Sequence, residues 1–132
     1  MKANAQRVGN DGFKHTVSVG RHKITVDEPE QNGGEDAGPS PQELLAASLA
    51  SCTAITMEMY ADRKGWAVGD LEVNVNYEPA QRGSPTKFEM EVRMPKELPE
   101  EQRQKLMQIA AKCPVHRTLE GEVMFEEKVE LV

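Results

Sequence analysis

A long segment without charged side chains is the feature that most restricts how this chain can fold. No charged residue occurs between Glu43 and Glu58, and nearly every side chain from Ala46 to Ala54 is small. Such a segment suits a helix that is buried on most sides and that lets neighbouring backbones approach closely. The sequence therefore predicts a central helix around which the rest of the fold is arranged.

The ends of this helix can be predicted from local signals. Ser40 suits the N-cap, Pro41 suits the first helical position, and Glu43 completes a capping box with Ser40. Charged residues return in the last turns, and Gly65 follows Lys64. We therefore expect a helix from Pro41 to about Lys64 that ends at Gly65.

Upstream of the helix, the sequence predicts two short strands and a polar loop. The segments Phe13–Val19 and His22–Val26 are alternating or β-branched in character, with Gly20 between them. Before them, the turn Asn10–Gly12 carries a strong hairpin signal, because its residues tolerate a positive φ. The loop Glu28–Gly38 is rich in glycine and acidic residues, as surface connections often are.

Downstream of the helix, period-two patterns predict three more strands. Leu71, Val73, Val75 and Tyr77 alternate with polar residues, and so do Phe88, Met90, Val92 and Met94. A last strand is expected to place Val123, Phe125, Val129 and Leu131 on one side. The first two of these strands are joined by a loop that contains Gly, Ser and Pro.

A second helix is expected between the last two predicted strands. Pro99 opens it, and Cys113 ends it because Pro114 disfavours helical geometry in the residue before it. One face carries Leu106, Ile109, Ala110 and Cys113. A short helical turn can restart at Pro114 and stop near Gly121. The predicted order is ββ-α-ββ-α-β, which is an α+β domain covering residues 1–132 without repeats or linkers.

Charge and composition exclude several classes of partner and compartment. The net charge of −6 argues against a nucleic-acid partner, which would need a basic face. No apolar run is expected to reach the length of a membrane span, and Met1–Gly9 lacks the apolar segment of a signal peptide. We therefore expect a cytoplasmic protein that binds no membrane. The scarcity of aromatic residues suggests a thin core and hints at oligomerisation.

The two cysteines, Cys52 and Cys113, are the candidate reactive groups. If Cys113 caps the restarted helix, its sulfur faces the free N–H groups of Val115 and His116, which would lower its pKa. The His116 side chain could act as a proton carrier or a cation. Cys52 lies in the middle of its helix without such a local device, so any activation must come from residues distant in sequence or from another chain.

Three other interpretations of the cysteines stay open at this point. Free cysteines often behave as small buried hydrophobes, so both sulfurs could be inert packing residues. A disulfide between Cys52 and Cys113 depends on geometry that the sequence does not contain. Metal binding through both cysteines and His116 is disfavoured, because the spacing matches no compact zinc pattern.

Three segments resemble the OsmC/Ohr superfamily. Gly38–Leu45 (GPSPQELL), followed by Cys52-Thr53, is similar to its first cysteine motif, and Cys113–Leu119 (CPVHRTL) is similar to its second. Tyr60–Trp66 (YADRKGW) is similar to an OsmC-like branch rather than to the organic hydroperoxide resistance proteins proper. The resemblance covers nearly the whole chain.

The resemblance implies a fold and a chemistry. Family members are intertwined α+β homodimers with antiparallel sheets packed on a buried central helix that carries the first cysteine. Active members are thiol peroxidases that reduce organic hydroperoxides or hydrogen peroxide in oxidative-stress defence. By analogy Cys52 would become a sulfenic acid, Cys113 would resolve it as a disulfide, and a dithiol such as a lipoyl group would reduce that disulfide. Neither a metal nor an organic cofactor is implied.

One departure from the family pattern leaves the activity open. Peroxidases of the family pair an Arg of the N-terminal hairpin with a Glu at the start of the central helix, and these positions match Asn10 and Gln42 here. Glu43 has a structural explanation in the capping box, and Arg21 or Arg7 could supply a substitute cation. The alternative is a non-catalytic dimer that binds a small apolar or electrophilic ligand.

Overall fold

The computed structural model describes residues 1–132 and has an α+β architecture. Its elements in chain order are β1 (Ala3–Arg7), β2 (His15–Val19), β3 (His22–Val26), a 3-10 turn (Glu30–Asn32), α1 (Pro41–Lys64), β4 (Glu72–Glu78), β5 (Lys87–Arg93), α2 (Glu100–Ala110) and α3 (Pro114–Glu120). The first three strands form one antiparallel sheet, and β4 and β5 form a second sheet of two strands. The predicted α+β class is confirmed.

The chain divides into two compact units. The first comprises Met1–Ala47 and Tyr77–Phe88, and the second comprises Ser48–Asn76 and Glu89–Val132. Both cysteines belong to the second unit. The expectation of one domain over residues 1–132 stays a prediction.

In the first unit, β1 is a strand that the sequence did not predict. It pairs with β2 from Ala3 opposite Val19 to Arg7 opposite His15, and all five of its residues are exposed. Arg7 closes the turn that follows, since its Nε and Nη2 donate hydrogen bonds to the Gly12 carbonyl at 3.1 and 2.9 Å. The strand was missed because a fully exposed strand carries no alternation of apolar residues.

The polar loop after β3 is held by one buried carboxylate. Asp27 is only 2% exposed and accepts hydrogen bonds from the backbone N–H groups of Glu28, Glu35 and Ala37 at 2.8, 3.1 and 3.2 Å. Burial raises the pKa of Asp27, but these three hydrogen bonds and the charge of Lys14 outweigh it and lower the pKa. The predicted surface loop is therefore tightly anchored at its base.

The helix α1 has the bounds expected from its capping signals. Ser40 Oγ accepts the Glu43 N–H at 3.1 Å, and Glu43 Oε1 accepts the Ser40 N–H at 3.0 Å, so the capping box is formed. At the other end Gly65 adopts a left-handed φ of 71°. The backbone N–H of Gly65 donates to the Asp62 carbonyl at 3.1 Å, which completes the C-terminal cap.

The buried face of α1 is narrower than expected. Only Leu49, Thr53, Met57 and Ala61 are buried, which is one residue in every four. Ile55 and Met59, on other faces, are 53% and 58% exposed. The prediction that the helix is buried on most sides is therefore wrong for the single chain, because small uncharged side chains permit close packing but supply no neighbour.

By length and composition alone, α1 is apolar enough to cross a membrane. The expectation that no segment reaches this length is therefore wrong. Core helices of folded domains meet the same criterion, so the finding is weak evidence for a membrane segment.

The second unit has a core built on α1 and α2. Met57, Ala61, Leu98, Leu106 and Ala110 form a buried cluster. The predicted apolar face of α2 is confirmed, since Leu106, Ile109, Ala110 and Cys113 are all buried. The predicted alternation in the central strands is confirmed as well, because half-buried and exposed residues alternate along β4 and β5.

The expected last strand is absent from the structure. The chain after Gly121 forms no strand, and its large apolar side chains are exposed. Val123, Phe125, Val129 and Leu131 are 55%, 83%, 82% and 93% exposed. The alternating pattern expresses a preference for extended backbone, but a strand also needs an edge to pair with. The observed order is βββ-α-ββ-α-α.

Candidate functional site

The two cysteines meet within the second unit. Cys52 lies in the middle of α1 and is half-buried, whereas Cys113 lies between α2 and α3 and is fully buried. Both are free thiols, and the thiol of Cys113 hydrogen bonds to the sulfur of Cys52. Two groups separated by some sixty residues of sequence thus form one local pair.

The backbone around Cys113 explains how two sulfurs share one set of donors. Cys113 adopts an extended conformation (φ −53°, ψ 130°), and Pro114 occupies the first position of α3. The next N–H groups of α3, at Val115 and His116, therefore have no partner within the helix. The Val115 N–H acts to lower the pKa of both Cys52 and Cys113, and the His116 N–H acts to lower that of Cys113. The Cys113 side chain nevertheless forms no capping hydrogen bond with α3. Cys113 thus lies at the N-terminus of α3, as expected.

Cys52 is the more acidic member of the pair. Burial raises the pKa of its thiol, but hydrogen bonds from the Cys113 thiol, the Val115 N–H and the Thr56 hydroxyl outweigh burial and hold the pKa below its ordinary value. All three donors are neutral. The anion is therefore stabilised by oriented dipoles.

Cys113 has the opposite character. Burial raises the pKa of its thiol, and the hydrogen bond that it shares with Cys52 raises it further. The His116 N–H, the Thr53 hydroxyl and the Val115 N–H act in the opposite direction without reversing the shift. The expectation that the N-terminus of α3 lowers the pKa of Cys113 is therefore wrong, because burial and the neighbouring Cys52 outweigh the N–H groups. The geometry favours a thiolate on Cys52 beside a protonated thiol on Cys113.

Two threonines, for which no role was predicted from the sequence, complete the site. Thr56 lies one helical turn after Cys52, so its hydroxyl reaches the same face of α1. Thr53 is fully buried and contacts Cys113 and also Met90 of β5, with its Oγ1 3.9 Å from the Met90 sulfur. The spacing of four residues from Cys52 to Thr56 is the signal that could have revealed the first of them.

His116 contacts the site through its backbone, and its ring faces Glu120. The Nε2 atom lies 2.7 Å from Glu120 Oε1, one turn along α3. The Nδ1 atom is buried without a hydrogen-bond partner. No group of three or more His, Cys, Asp or Glu side chains has a metal-binding arrangement. The structure thus places the backbone of His116 beside Cys113 while its imidazole contacts Glu120. A role of the ring as proton carrier or cation stays a prediction.

The other predicted supporting residues lie in the first unit. Asn10 and Arg21 are exposed in the two turns of the first sheet, and Arg7 is engaged with its own turn. Gln42 is exposed in the first turn of α1, and Glu43 is held by the capping box. The hydrogen bond from the Ser40 N–H lowers the pKa of Glu43, and the Ser40 hydroxyl lowers it to a smaller extent.

Cys52 lies ten residues after Gln42 and nine residues after Glu43 on the same helix, α1. At 1.5 Å of rise per residue, the separation along the helix axis is roughly 14 Å. Neither side chain can therefore reach the Cys52 sulfur along its own helix. Their supporting role stays a prediction.

Comparison with known proteins identifies the family. A family profile described as OsmC-like protein matches residues 33–128. The chain belongs to the OsmC-like family. The matched range contains both cysteine motifs and the whole of the second unit except its last residues. No relative is found among curated protein sequences.

Solved structures of other OsmC-like proteins share this fold. A protein from Psychrobacter arcticus 273-4 whose suggested role is in osmotic stress and detoxification is 21% identical, with a TM-score of 0.75 over 89% of this chain and 87% of the other. An OsmC-like protein from Mycoplasma pneumoniae is 23% identical (TM-score 0.69; 91% and 86% covered). The organic hydroperoxide resistance protein OhrB of Bacillus subtilis is 23% identical (TM-score 0.61; 91% and 90% covered). At identities below 25%, these TM-scores show a shared fold and nothing further.

Proposed function

We propose that this protein is a thiol peroxidase that reduces organic hydroperoxides or hydrogen peroxide through Cys52 and Cys113. The observation that carries the proposal is the hydrogen bond between the two thiols, whose pKa values shift in opposite directions. A nucleophile that ionises readily and an adjacent thiol that stays protonated are what such a reaction requires. Membership of the OsmC-like family, whose relatives include a hydroperoxide resistance protein, supports the same function.

The reaction has two steps in this chain. The Cys52 thiolate attacks the outer oxygen of the hydroperoxide, the O–O bond breaks, and the alkoxide leaves and takes up a proton as the alcohol. Cys52 is thereby oxidised to a sulfenic acid. The Cys113 sulfur, as its proton is lost, then attacks the Cys52 sulfur, forms the disulfide and releases the hydroxyl group as water.

An external dithiol must return the pair to the reduced state. A lipoyl-type dithiol would reduce the disulfide by two successive thiol–disulfide exchanges and would itself leave as a cyclic disulfide. The overall change is hydroperoxide plus dithiol to alcohol, water and disulfide. A reducing compartment such as the cytoplasm would supply the dithiol and keep both cysteines free between turnovers.

His116 is proposed as a positioning residue in this scheme. Its backbone N–H acts to lower the pKa of Cys113, and its ring contacts Glu120 within α3. Gln42, Glu43 and Arg21 are secondary candidates, whether from the same chain or from a second copy of it.

We further propose that the functional form is a homodimer. Ile55 and Met59 of α1 are exposed although the helix is apolar, and Val123, Phe125 and Leu131 are exposed in a segment with strand character. Apolar surface of this kind on a single chain marks an interaction site. A second copy that covers α1 and pairs with the final segment would bury both sets of side chains.

The proposal is tested by a coupled assay with purified reduced protein, tert-butyl hydroperoxide and dihydrolipoamide. The wild-type protein should consume peroxide, and Cys52→Ser should consume none above the background rate. The matched control is Ser51→Ala, which changes the neighbouring hydroxyl but none of the donors to Cys52. Equal rates for Cys52→Ser and the wild-type protein would refute the peroxidase function.

A second candidate function is a non-catalytic module that binds a small apolar or electrophilic ligand. The neutral side chains of Asn10 and Gln42, at the positions of the family's charged pair, favour it. The two candidates differ in the ionisation of Cys52. A thiol with an ordinary or raised pKa that forms no peroxide-driven disulfide would favour the module, whereas a lowered pKa with rapid disulfide formation would favour the peroxidase.

A further inference from the structure

A cationic and aromatic cluster lies at the C-terminal end of α1, apart from the cysteine pair. The Tyr60 ring has three cationic groups around it: Arg63 Cζ at 6.0 Å, Lys64 Nζ at 5.7 Å and Lys105 Nζ at 5.9 Å from the ring centroid. Trp66 packs edge-on against the same ring, with centroids 5.6 Å apart and an interplanar angle of 66°. All five residues belong to the second unit.

The three cations of this cluster have no acidic partner. No carboxylate lies within ion-pair distance of Arg63, Lys64 or Lys105. The Tyr60 ring attracts each cation, but it does not remove their mutual repulsion. A bound anion would do so.

The cluster borders a cavity of about 370 Å³ that has room for a small organic molecule. Its lining includes the Tyr60 and Trp66 rings, the Lys64 and Lys105 side chains and the Gln108 amide. Both rings also pack against the buried core of their unit, so the apolar wall is already in place before a ligand arrives. The one acidic residue of the lining is Glu101.

We infer that this cavity binds a small aromatic carboxylate. The ring of the ligand would pack against Trp66 and Tyr60, and its carboxylate would lie between the ammonium groups of Lys64 and Lys105. A neutral ring compound would leave the two ammonium groups unpaired, and a bare anion would leave the aromatic wall uncovered. Glu101 disfavours ligands with several negative charges and so sets a preference for a single carboxylate. The site is independent of the proposed peroxidase reaction.

Trp66 is the only tryptophan of the chain, so it reports on this cavity directly. The test is a titration of the ¹⁵N-labelled full-length protein with benzoate, followed by the single indole N–H cross-peak. We expect a saturable shift with benzoate, and a much weaker response to benzamide, which has the ring without the charge, and to acetate, which has the charge without the ring. Equal responses to benzoate and benzamide, or no saturable shift, would overturn the inference.

Variants that each remove one charge should change the Kd for benzoate in opposite directions, depending on the sign of the charge removed. Nonspecific binding would not produce this pattern. Lys64→Gln and Lys105→Gln should each raise the Kd for benzoate by about two- to fivefold, and Glu101→Gln should lower it by a similar factor. The matched control Lys96→Gln removes an exposed lysine outside the lining and should leave the Kd unchanged. The same Kd in all four variants would show that neither lysine contacts the carboxylate of benzoate, and this would contradict the inference. Peroxidase activity should be the same in every variant, so failure here leaves that proposal standing.

Discussion

Asp27 and Cys52 are two acids that this fold stabilises as anions by the same physical means. Burial raises the pKa of each group, and three hydrogen bonds from neutral donors lower it by more. Only Asp27 also has the help of a nearby charge, that of Lys14. The lowered pKa of each group therefore follows mainly from the number and direction of its donors.

The two sites differ in the chemical reactivity of the groups that donate the hydrogen bonds. The donors to Asp27 are backbone N–H groups of one loop, which are chemically inert, so the stabilised anion holds structure. One donor to Cys52 is the thiol of Cys113, which can itself attack an oxidised sulfur. A lowered pKa alone therefore does not identify a reactive site. A reactive donor beside the anion does.

The largest effect should come from removing that reactive donor. In Cys113→Ser the hydroxyl can still donate to Cys52, but no disulfide can form, so turnover with dithiol should fall on the order of 100-fold because an intramolecular step becomes bimolecular. In Cys113→Ala the donor is lost as well, so the Cys52 pKa should also rise. Turnover is measured by peroxide consumption, and the pKa is measured by thiolate absorbance.

The two variants separate the two roles of Cys113. Comparable loss of turnover with a raised pKa only in Cys113→Ala would confirm that Cys113 both activates and resolves. Wild-type turnover in Cys113→Ser would contradict the resolving role. Cys52, like Asp27, would then have no donor that takes part in a reaction.

The next effect concerns the stability provided by Asp27. Asp27→Asn places an amide against three N–H donors, so the Tm at pH 7 should fall on the order of 5 °C. Because the folded pKa of Asp27 lies below its unfolded value, its contribution is present above the unfolded pKa and is lost as the pH falls through the folded one. The difference in Tm between variant and wild type should therefore shrink in acid.

The control for this variant is Asp70→Asn, which makes the same charge change at an exposed position. Thermal unfolding of all three proteins between pH 7 and strongly acidic conditions provides the comparison. A peroxidase rate that falls in Asp27→Asn in step with its Tm would indicate a general loss of folding. A Tm difference that grows in acid would contradict the assigned role.

A smaller effect should follow from removing one neutral donor to Cys52. Thr56→Val is nearly isosteric and should raise the Cys52 pKa and slow the first oxidation step near neutral pH by about fivefold. Thr53→Val is its partner variant, because Thr53 donates to Cys113 and not to Cys52. Stopped-flow oxidation by hydroperoxide across the pH range should show the change only in Thr56→Val. An unchanged profile in Thr56→Val would exclude its hydroxyl as a donor.

The sequence predicted much of this site because two of its parts are local. Pro114 after Cys113 dictates a helix restart, and the free N–H groups of Val115 and His116 follow from that restart. The sharing of these donors with Cys52 depends on how α1 packs beside α3, which no local pattern contains. Thr56 could have been found from its spacing of one turn, since it follows Cys52 on the same helix.

The fold was predictable where signals were local and failed where a partner was needed. The bounds of α1 follow from the Ser40–Glu43 capping box and Gly65, whereas its burial depends on neighbours that the single chain supplies along one stripe only. The segment after Gly121 has strand character but no edge to pair with. Both failures concern surfaces that the proposed second copy would cover.

The smallest expected effect gives the sharpest view of how Cys52 is activated. All donors that lower its pKa are neutral, and salt screens interactions between charges far more than hydrogen bonds from fixed dipoles. The pKa of Cys52 should therefore hardly change between low salt and about 0.5 M salt. Thiolate absorbance titrations at several salt concentrations measure this, with Cys52→Ser to subtract the signal of Cys113. A pKa that climbs steadily with salt would reveal a cation at the sulfur. Because no such group acts on Cys52 within the single chain, that cation would have to come from a second copy, and the family's charged pair would be relocated rather than lost.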